Sequence, residues 1–194
     1  MLELRGPVSI ELVLRDSQGG LPAADWARII QKLEEFVNEF RVAGDEPVEH
    51  PELFEILKAL DRTRRFFHLY TPGQWKDADA FLGGLRRLSY FGSFVFDFPG
   101  HTPDLYRQVA GHDGHGLMVA SLQKALASAF EVNTRTLITR QNCEQVMEIA
   151  EEAFRLGARY AVFNRYVGPA DSPLAPDEHE LLRALEQIHD MRQF

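Results

Sequence analysis

Residues 64–98, RRFFHLYTPGQWKDADAFLGGLRRLSYFGSFVFDF, are the part of the sequence that decides the fold. The stretch begins with an apolar strand at 64–71 and continues with a helix at 75–88. It ends with a second strand at 89–98, which is almost continuously apolar, as expected of a strand buried on both faces. A strand, a helix and a strand in this order predict a parallel strand pair joined by a crossover helix.

The same alternation continues on both sides of this unit. The further predicted elements are strands at 7–14, 38–44, 129–138 and 158–166, a helix that starts near Pro22, and helices at 50–60, 117–128, 143–157 and 175–191. Six strand–helix units predict a parallel sheet that right-handed crossovers curl, and they fall short of the eight that close a barrel. We therefore expect an α/β protein, a partial (βα)6 TIM-like barrel in one domain (1–194), with a proline-rich loop at 168–178 before the last helix.

Composition narrows the class of protein. The chain has 194 residues, 45% of them hydrophobic, and a net charge of −8, which argues against a nucleic-acid or anionic-membrane binder. Its one cysteine, Cys143, cannot form an internal disulfide or supply the ligands of an iron–sulfur cluster. The sequence has neither an 18-residue apolar run nor a signal-peptide pattern, so we expect a cytoplasmic protein.

Polar residues gather near the predicted carboxyl ends of the strands, where barrels of this kind bind ligands. They are Asp16, Asp45, Glu46, Asp97, Asn133, Arg135, Asn164 and Arg165. Acids on the early strands would face Asn and Arg on the late ones, a polarity suited to a zwitterion or a peptide segment. Alternatively, some of these side chains point outward and the rest form internal ion pairs. Strand alternation places Asn133 and Arg135 on one face.

Several of these strand ends resemble segments of the radical S-adenosylmethionine (radical SAM) superfamily. Gly44-Asp45-Glu46-Pro47, between a strand and a helix, is similar to the Gly-Gly-Glu-Pro element that holds the amino group of SAM in that family. Phe96-Asp97 followed by TPDLYRQVAGHDGHG resembles the fourth-strand aspartate, the Gly-containing stretch after it and the next helix. VNTRTLITRQNCEQVMEIAEEAFRLGARYAVFNR resembles the fifth-strand and sixth-strand segments of the peptide-modifying branch. The resemblance covers residues 7–190 and implies a radical SAM-like barrel.

The sequence departs from the family where the family does its chemistry. The loop after the first strand carries a Cys-x3-Cys-x2-Cys motif in radical SAM enzymes, but here it reads RDSQGG (15–20) and has no cysteine. We therefore expect no four-iron cluster and no reductive cleavage of SAM. Asp45 replaces the second glycine of the Gly-Gly-Glu-Pro element, and Val95 stands where many relatives have a serine that contacts the ribose.

Other candidate residues lie outside these strand ends. His101, His112, Asp113 and His115 could form a metal loop or, alternatively, a mobile polar loop. His68, in an aromatic run, is typical of a hydrogen-bonded core histidine, and Cys143 of a small buried residue. A further set of aromatic residues is predicted to lie in the core or on a protein-binding surface at the open side of the barrel: Phe66, Phe67, Tyr70, Phe91, Phe94, Phe96 and Phe98.

Three functions remain open at this point. The first is a cluster-free, non-catalytic binding or accessory module for a peptide or a partner enzyme. The second is cluster-free binding of SAM or another amino-acid-bearing nucleotide with non-radical chemistry, and the third is a metal-dependent enzyme using the His-rich stretch. We assign no catalytic residue and no metal ligand, and we expect that the open barrel edge permits self-association. The candidate cofactor-binding residues are Gly44, Asp45, Glu46, Pro47, Asp97, Asn133, Arg135, Asn164 and Arg165.

Overall fold

A computed structural model describes residues 8–16 and 19–191. Its strands are β1 (Ser9–Val13), β2 (Arg15–Asp16), β3 (Gly19–Gly20), β4 (Glu39–Ala43), β5 (Phe66–Thr71), β6 (Phe91–Asp97), β7 (Val132–Ile138) and β8 (Ala161–Arg165). Six strands form one parallel sheet in the order β1-β4-β5-β6-β7-β8, while β2 and β3 form a short antiparallel hairpin after β1. Within the described residues β1 and β8 do not pair, so the curled sheet is a half-barrel with one open side, as predicted.

Helices cover the convex side of the sheet. They are α1 (Ala23–Leu33), α2 (Leu53–Arg62), α3 (Ala78–Leu85), α4 (Pro103–Ala110), α5 (His115–Ala127), α6 (Val146–Leu156) and α7 (Glu178–Met191), with a 3-10 helix at Pro47–Glu49. Gly157 ends α6 with a φ of 104°, a conformation that favours glycine at the end of a helix. None of the described helices combines the length and the apolarity that a bilayer crossing requires.

The stretch after β6, in which we expected a metal loop or a mobile polar loop and no helix before residue 117, contains α4. The Thr102 hydroxyl accepts a hydrogen bond from Leu105 N at 3.3 Å, Pro103 occupies the first turn, and Gly111 ends the helix with a φ of 77°. The predicted strand at 129–138 begins only at Val132, because Ala129 has a φ of 63° and belongs to the turn after α5. Residues 168–177 are neither helix nor strand, and α7 begins at Glu178 rather than at the predicted residue 175.

The two faces of the sheet differ in chemistry. Apolar side chains alternate toward the helices and form the main core, in which the ring of Trp75 lies 5.0–5.2 Å from those of Phe81, Phe94 and Phe96. Phe67, Phe94, Phe96 and Phe98 are therefore core residues, whereas Phe66 is exposed. The alternating positions point to the concave side, and most of these are polar. This concave face positions the candidate site.

One irregularity interrupts the sheet between β5 and β6. Phe67 pairs with Phe91, but the next residue, His68, pairs with Ser93, so Gly92 is left without a partner. A bulge of this kind turns side chains relative to the neighbouring strand. Here it brings His68 and Ser93 to the same place on the concave face.

Candidate functional site

Glu46 lies in the loop after β4 and is only 8% exposed. Its carboxylate accepts hydrogen bonds from the Thr71 hydroxyl at 2.9 Å, from Gln74 N at 2.9 Å and from Val48 N at 3.3 Å. Burial raises the pKa of Glu46, and these hydrogen bonds oppose the rise. The carboxylate therefore ties its loop to the end of β5, and protein donors occupy its oxygen atoms.

The rest of this element shapes the turn. Gly44 has a φ of 150°, a conformation that residues with a side chain rarely adopt, and Pro47 is buried at the start of the 3-10 helix. Asp45 is exposed. Glu46 also caps the 3-10 helix by accepting a hydrogen bond from Val48 N. Gly44 and Pro47 therefore form the turn after β4, and Glu46 stabilises the helix that follows it.

Asp97, the last residue of β6, forms an ion pair with Arg135, which lies opposite it in the middle of β7. Nη2 of Arg135 lies 2.7 Å from Oδ1 of Asp97, and Nε lies 2.8 Å from the same atom. The guanidinium also lies 4.9 Å from the ring centroid of Tyr70 on β5. Burial raises the pKa of Tyr70, while Arg41 and Arg135 oppose that rise. One of the expected internal ion pairs is therefore present.

A crevice of about 450 Å³ opens next to this pair, between the strand ends and α4. Asp97, Arg135 and Asn164 supply polar groups on the sheet side, and Tyr106 and His112 supply them on the α4 side. The remaining lining is apolar: Pro72, Phe98, Pro99, Val109, Ala110 and Leu137. An apolar wall with a few convergent polar groups is typical of small-molecule sites.

A second cavity, of about 410 Å³, occupies the concave face itself. Its lining side chains come from all six strands of the sheet and their ends, and most of them are polar: Glu11, Glu39, Arg41, His68, Tyr70, Ser93, Val95, Glu131, Asn133, Arg135, Tyr160, Val162 and Asn164. Arg135 and Asn164 line both this cavity and the crevice. The two spaces thus meet at Arg135 of β7 and Asn164 of β8.

Hydrogen bonds connect three neighbouring strands, β5, β6 and β7, across the floor of the concave cavity, and a longer polar contact reaches β4. Nδ2 of Asn133 lies 3.1 Å from Oγ of Ser93, which lies 2.8 Å from Nδ1 of His68. Nε2 of His68 faces Oε2 of Glu39 at 3.7 Å, and Oε1 of Glu39 accepts a bond from Arg41 at 3.3 Å. Burial lowers the pKa of His68, which favours the neutral imidazole, although Glu39 opposes this effect.

The structure brings only some of the predicted residues together. Asp97, Arg135 and Asn164 meet at the crevice, and Asn133 lies deeper, on the same face as Arg135, as alternation predicted. Arg165 follows Asn164 along β8, so its side chain lies on the opposite face. The side chain of Asp16 falls outside the part of the chain that the structure describes.

Eight polar residues that line the concave cavity were not predicted as site residues: Glu11, Glu39, Arg41, His68, Tyr70, Ser93, Glu131 and Tyr160. The signal was present, since polar residues alternate with apolar ones in EFRVA (39–43) and FFHLYT (66–71). His68 is hydrogen-bonded, as expected, but its side chain is 26% exposed and lines the cavity rather than the core.

The His-rich stretch shows no metal-binding geometry. His112 and His115 each lie edge-on to Tyr106, and Asp113 pairs with Arg107. Across residues 8–16 and 19–191, no three His, Cys, Asp or Glu side chains are grouped so that they could hold a metal ion. The expectation of a metal-dependent enzyme in this stretch therefore finds no geometric support.

The residues present do not fit an iron–sulfur cluster of the radical SAM type. Cys143 is buried before α6, its thiol contacts Arg140 O at 3.3 Å, and burial raises its pKa. A raised pKa disfavours the thiolate that binds iron. The segment after β1, where the family places three cysteines, has none.

Comparisons with known proteins identify the fold. No family model matches the sequence, and no curated protein matches it. Streptococcus suis SuiB has a TM-score of 0.80 and 15% identity over 97% of this chain and 47% of SuiB. For anSMEcpe with bound AdoMet the TM-score is 0.76 and the identity 11%, over 95% of this chain and 60% of that one. The chain thus spans about half the length of these neighbours.

Some of these neighbouring structures contain ligands. SuiB has been determined with S-adenosylmethionine and with the precursor peptide SuiA, and anSMEcpe with AdoMet together with a peptide. A structure of TYW1 with a lysine-pyruvate adduct has a TM-score of 0.58 and 14% identity, over 87% of this chain and 60% of TYW1. SuiB and anSMEcpe are radical SAM enzymes, and the half-barrel of this chain is a radical SAM-like fold.

Proposed function

We propose that this chain is a radical SAM-like half-barrel that works without an iron–sulfur cluster and binds a peptide segment in its concave face. In this proposal it serves as a binding or accessory module, for the peptide itself or for an enzyme that modifies the peptide. The polar, open cavity of about 410 Å³ on the concave face carries the proposal.

That cavity differs from the interior of a closed barrel. Layers of bulky branched side chains fill a closed barrel and leave no room for a ligand. Here the inner positions of the strands carry carboxylate, guanidinium, imidazole and amide groups, and the side between β1 and β8 is open. The cavity volume of about 410 Å³ falls in the range of ligand sites. The polar side chains that line it can form hydrogen bonds and ion pairs with the amides and charged side chains of a peptide.

The cavity carries charges of both signs on each side. Its early side is lined by Glu11, Glu39 and Arg41, and its late side by Glu131, Arg135 and Asn164. A peptide that crosses the cavity would therefore meet a carboxylate and a guanidinium on both sides. The structure of SuiB with its precursor peptide supports a peptide as the ligand class for this fold.

Selection from a displayed library of random 12-residue peptides tests this proposal. We expect the folded chain to enrich peptides whose binding is measurable by fluorescence anisotropy. Asn164→Trp places an indole at the junction of the two cavities and should weaken binding at least about tenfold, because it fills the space. Arg165→Trp adds the same ring on the opposite face of β8 and should leave binding unchanged.

Two results would contradict peptide binding in the concave face. One is a selection that enriches no peptide above an empty support. The other is a set of enriched peptides that bind Asn164→Trp as tightly as Arg165→Trp. Both variants change exposed residues, so both are expected to fold.

A second candidate function is cluster-free binding of SAM or another amino-acid-bearing nucleotide in the crevice of about 450 Å³. Its apolar wall suits a nucleobase, and Asp97 and Arg135 suit the charged groups of an amino acid. The SAM-bound neighbours support this candidate, whereas the occupied carboxylate of Glu46 does not. Calorimetry with SAM at millimolar concentration separates the candidates, since the absence of heat would remove this one.

A further inference from the structure

The hydrogen bonds on the concave face have a defined direction. The backbone N–H of Tyr160 can only donate, and it lies 3.1 Å from Oδ1 of Asn133, so this atom is the amide oxygen. The amide nitrogen of Asn133 must then donate to Oγ of Ser93, at 3.1 Å. Oγ of Ser93 keeps its own proton and a second lone pair, and Nδ1 of His68 lies 2.8 Å from it.

The contact with Glu39 favours one tautomer of His68. The proton of the neutral ring is best placed on Nε2, which faces Oε2 of Glu39 at 3.7 Å, and Nδ1 can then accept the proton of the Ser93 hydroxyl. A hydroxyl that donates to an imidazole, with the opposite ring N–H directed at a carboxylate, is the proton order of a serine nucleophile, its general base and an orienting acid. The 3.7 Å separation exceeds a hydrogen bond, and such contacts often shorten when a substrate binds.

The backbone is specialised at this place. The bulge at Gly92 sets Ser93 opposite His68, and a β-carbon at Gly92 would lie 2.6 Å from Cε1 of the His68 ring. Only glycine leaves the space that the ring occupies. The bulge and the glycine thus bring the hydroxyl and the imidazole together at hydrogen-bond distance.

We propose that Ser93, His68 and Glu39 form an acyl-transfer site that hydrolyses small esters or thioesters entering the concave cavity. Oγ of Ser93 attacks the acyl carbon, and its proton moves to Nδ1 of His68. The alcohol or thiol leaves with that proton when the C–O or C–S bond breaks. Water, deprotonated by the same nitrogen, then attacks the acyl-serine, and the carboxylic acid departs as Ser93 regains its proton.

The neighbouring groups support these roles. Asn133 donates its amide N–H to Oγ of Ser93 at 3.1 Å and lies 3.4 Å from Oε1 of Glu131, so it holds the attacking oxygen in position. The charged groups that face His68 are Glu39 and Arg41 from β4 and Glu131 before β7. Glu39 acts as a positioning residue, because it orients the imidazole and stabilises its cationic form.

The geometry also limits the substrate. Ser93 is 2% exposed and lies on the cavity floor, so only a small acyl group can reach its hydroxyl. An acetyl ester or thioester fits this requirement, whereas a long acyl chain would meet Val95 and Tyr70 on the same wall. This inference is independent of the proposed peptide binding, since Ser93→Ala should still bind any selected peptide.

A fluorophosphonate probe and p-nitrophenyl acetate test the site in the folded, full-length protein. We expect mass spectrometry to find the phosphonate adduct on Ser93, and we expect Ser93→Ala to hydrolyse the ester at least about 100-fold more slowly. Ser121→Ala, which changes a buried serine of α5 outside the cavity, should keep the wild-type rate. Labelling of the wild-type chain decides the question even where Ser93→Ala does not fold.

The pH profile distinguishes the positioning role of Glu39 from a structural one. Glu39 raises the pKa of His68, so Glu39→Gln should move the acid limb of the pH–rate profile for ester hydrolysis to lower pH. The same substitution should lower the maximal rate. A purely structural change would lower the rate without moving the limb. The proposal is overturned if no adduct forms on Ser93, or if Ser93→Ala and the wild type hydrolyse the ester equally fast.

Discussion

The carboxylate of Glu46 and the hydroxyl of Thr71 form a buried hydrogen bond of 2.9 Å between the loop after β4 and the end of β5. Oγ1 of Thr71 also accepts bonds from Gly73 N at 2.8 Å and from Trp75 Nε1 at 3.0 Å. Its single proton must therefore point to Glu46. Neutral groups donate all of these bonds, so the carboxylate holds the strand ends together by hydrogen bonding rather than by ion pairing.

We expect Glu46→Ala to lower the free energy of unfolding by about 2–4 kcal/mol, because it leaves buried donors without an acceptor. Those donors are the Thr71 hydroxyl and the backbone N–H groups of Val48 and Gln74. Urea unfolding measures the loss. The exposed neighbour provides the control, since Asp45→Ala should change stability by no more than about 0.5 kcal/mol. Equal, small effects of both variants would mean that Glu46 is solvated.

The pH dependence of stability follows from the same carboxylate. Burial holds the pKa of Glu46 above its ordinary value of 4.5, so in the window above 4.5 the folded chain binds this proton more tightly than the unfolded chain. This proton therefore makes its full contribution to the free energy of unfolding below pH 4.5. The contribution is lost as the pH rises through the pKa that Glu46 has in the folded chain. The stability of the wild type relative to Glu46→Gln should therefore increase as the pH falls. A difference that stays constant between pH 4 and pH 7 would contradict the raised pKa.

The fold was predictable because each strand–helix unit leaves a strong local pattern. Apolar runs such as 89–98 and the periodic helix stripes predict parallel strands with crossovers, whatever the tertiary details. Helix α4 was missed because its eight residues carry a short pattern between His-rich and Gly-rich segments. Its start signal, Thr102 followed by Pro103, is nevertheless visible in the sequence.

The site was predictable only where it lies at strand ends. Asp97 ends β6, and parallel pairing places it opposite Arg135 on the next strand. The direction of the Glu46 carboxylate depends on the tertiary position of Thr71 and Gln74, which no local pattern specifies. The contact of His68 with Ser93 depends on a one-residue register shift. A shift of this kind reverses the faces of a strand, and sequence alternation alone cannot predict it.

Gly92→Ala tests how tightly the bulge is built. The added β-carbon would lie 2.6 Å from the His68 ring, so the ring must move away from Ser93 and lose its hydrogen bond. We expect a loss of about 1–3 kcal/mol in unfolding free energy. Gly83→Ala is the matched control, because a β-carbon at Gly83 in α3 meets nothing within 4 Å. That substitution should stabilise the chain by about 0.5–1 kcal/mol. If both variants were destabilised, the room available for a β-carbon would not explain the effect at Gly92.

The iron content after anaerobic reconstitution tests the absence of cluster chemistry. A four-iron cluster of the radical SAM type needs three thiolates, and the sequence supplies one cysteine, buried and with a raised pKa. We expect iron and sulfide to remain well below the stoichiometric amount, and Cys143→Ser to retain no less iron than the wild type. Because Cys143 packs before α6 with Ile138 and Val146, it is far better suited to the core than to a metal. Four irons per chain, together with 5′-deoxyadenosine release from SAM on reduction, would contradict the proposed function and would require another source of cluster ligands.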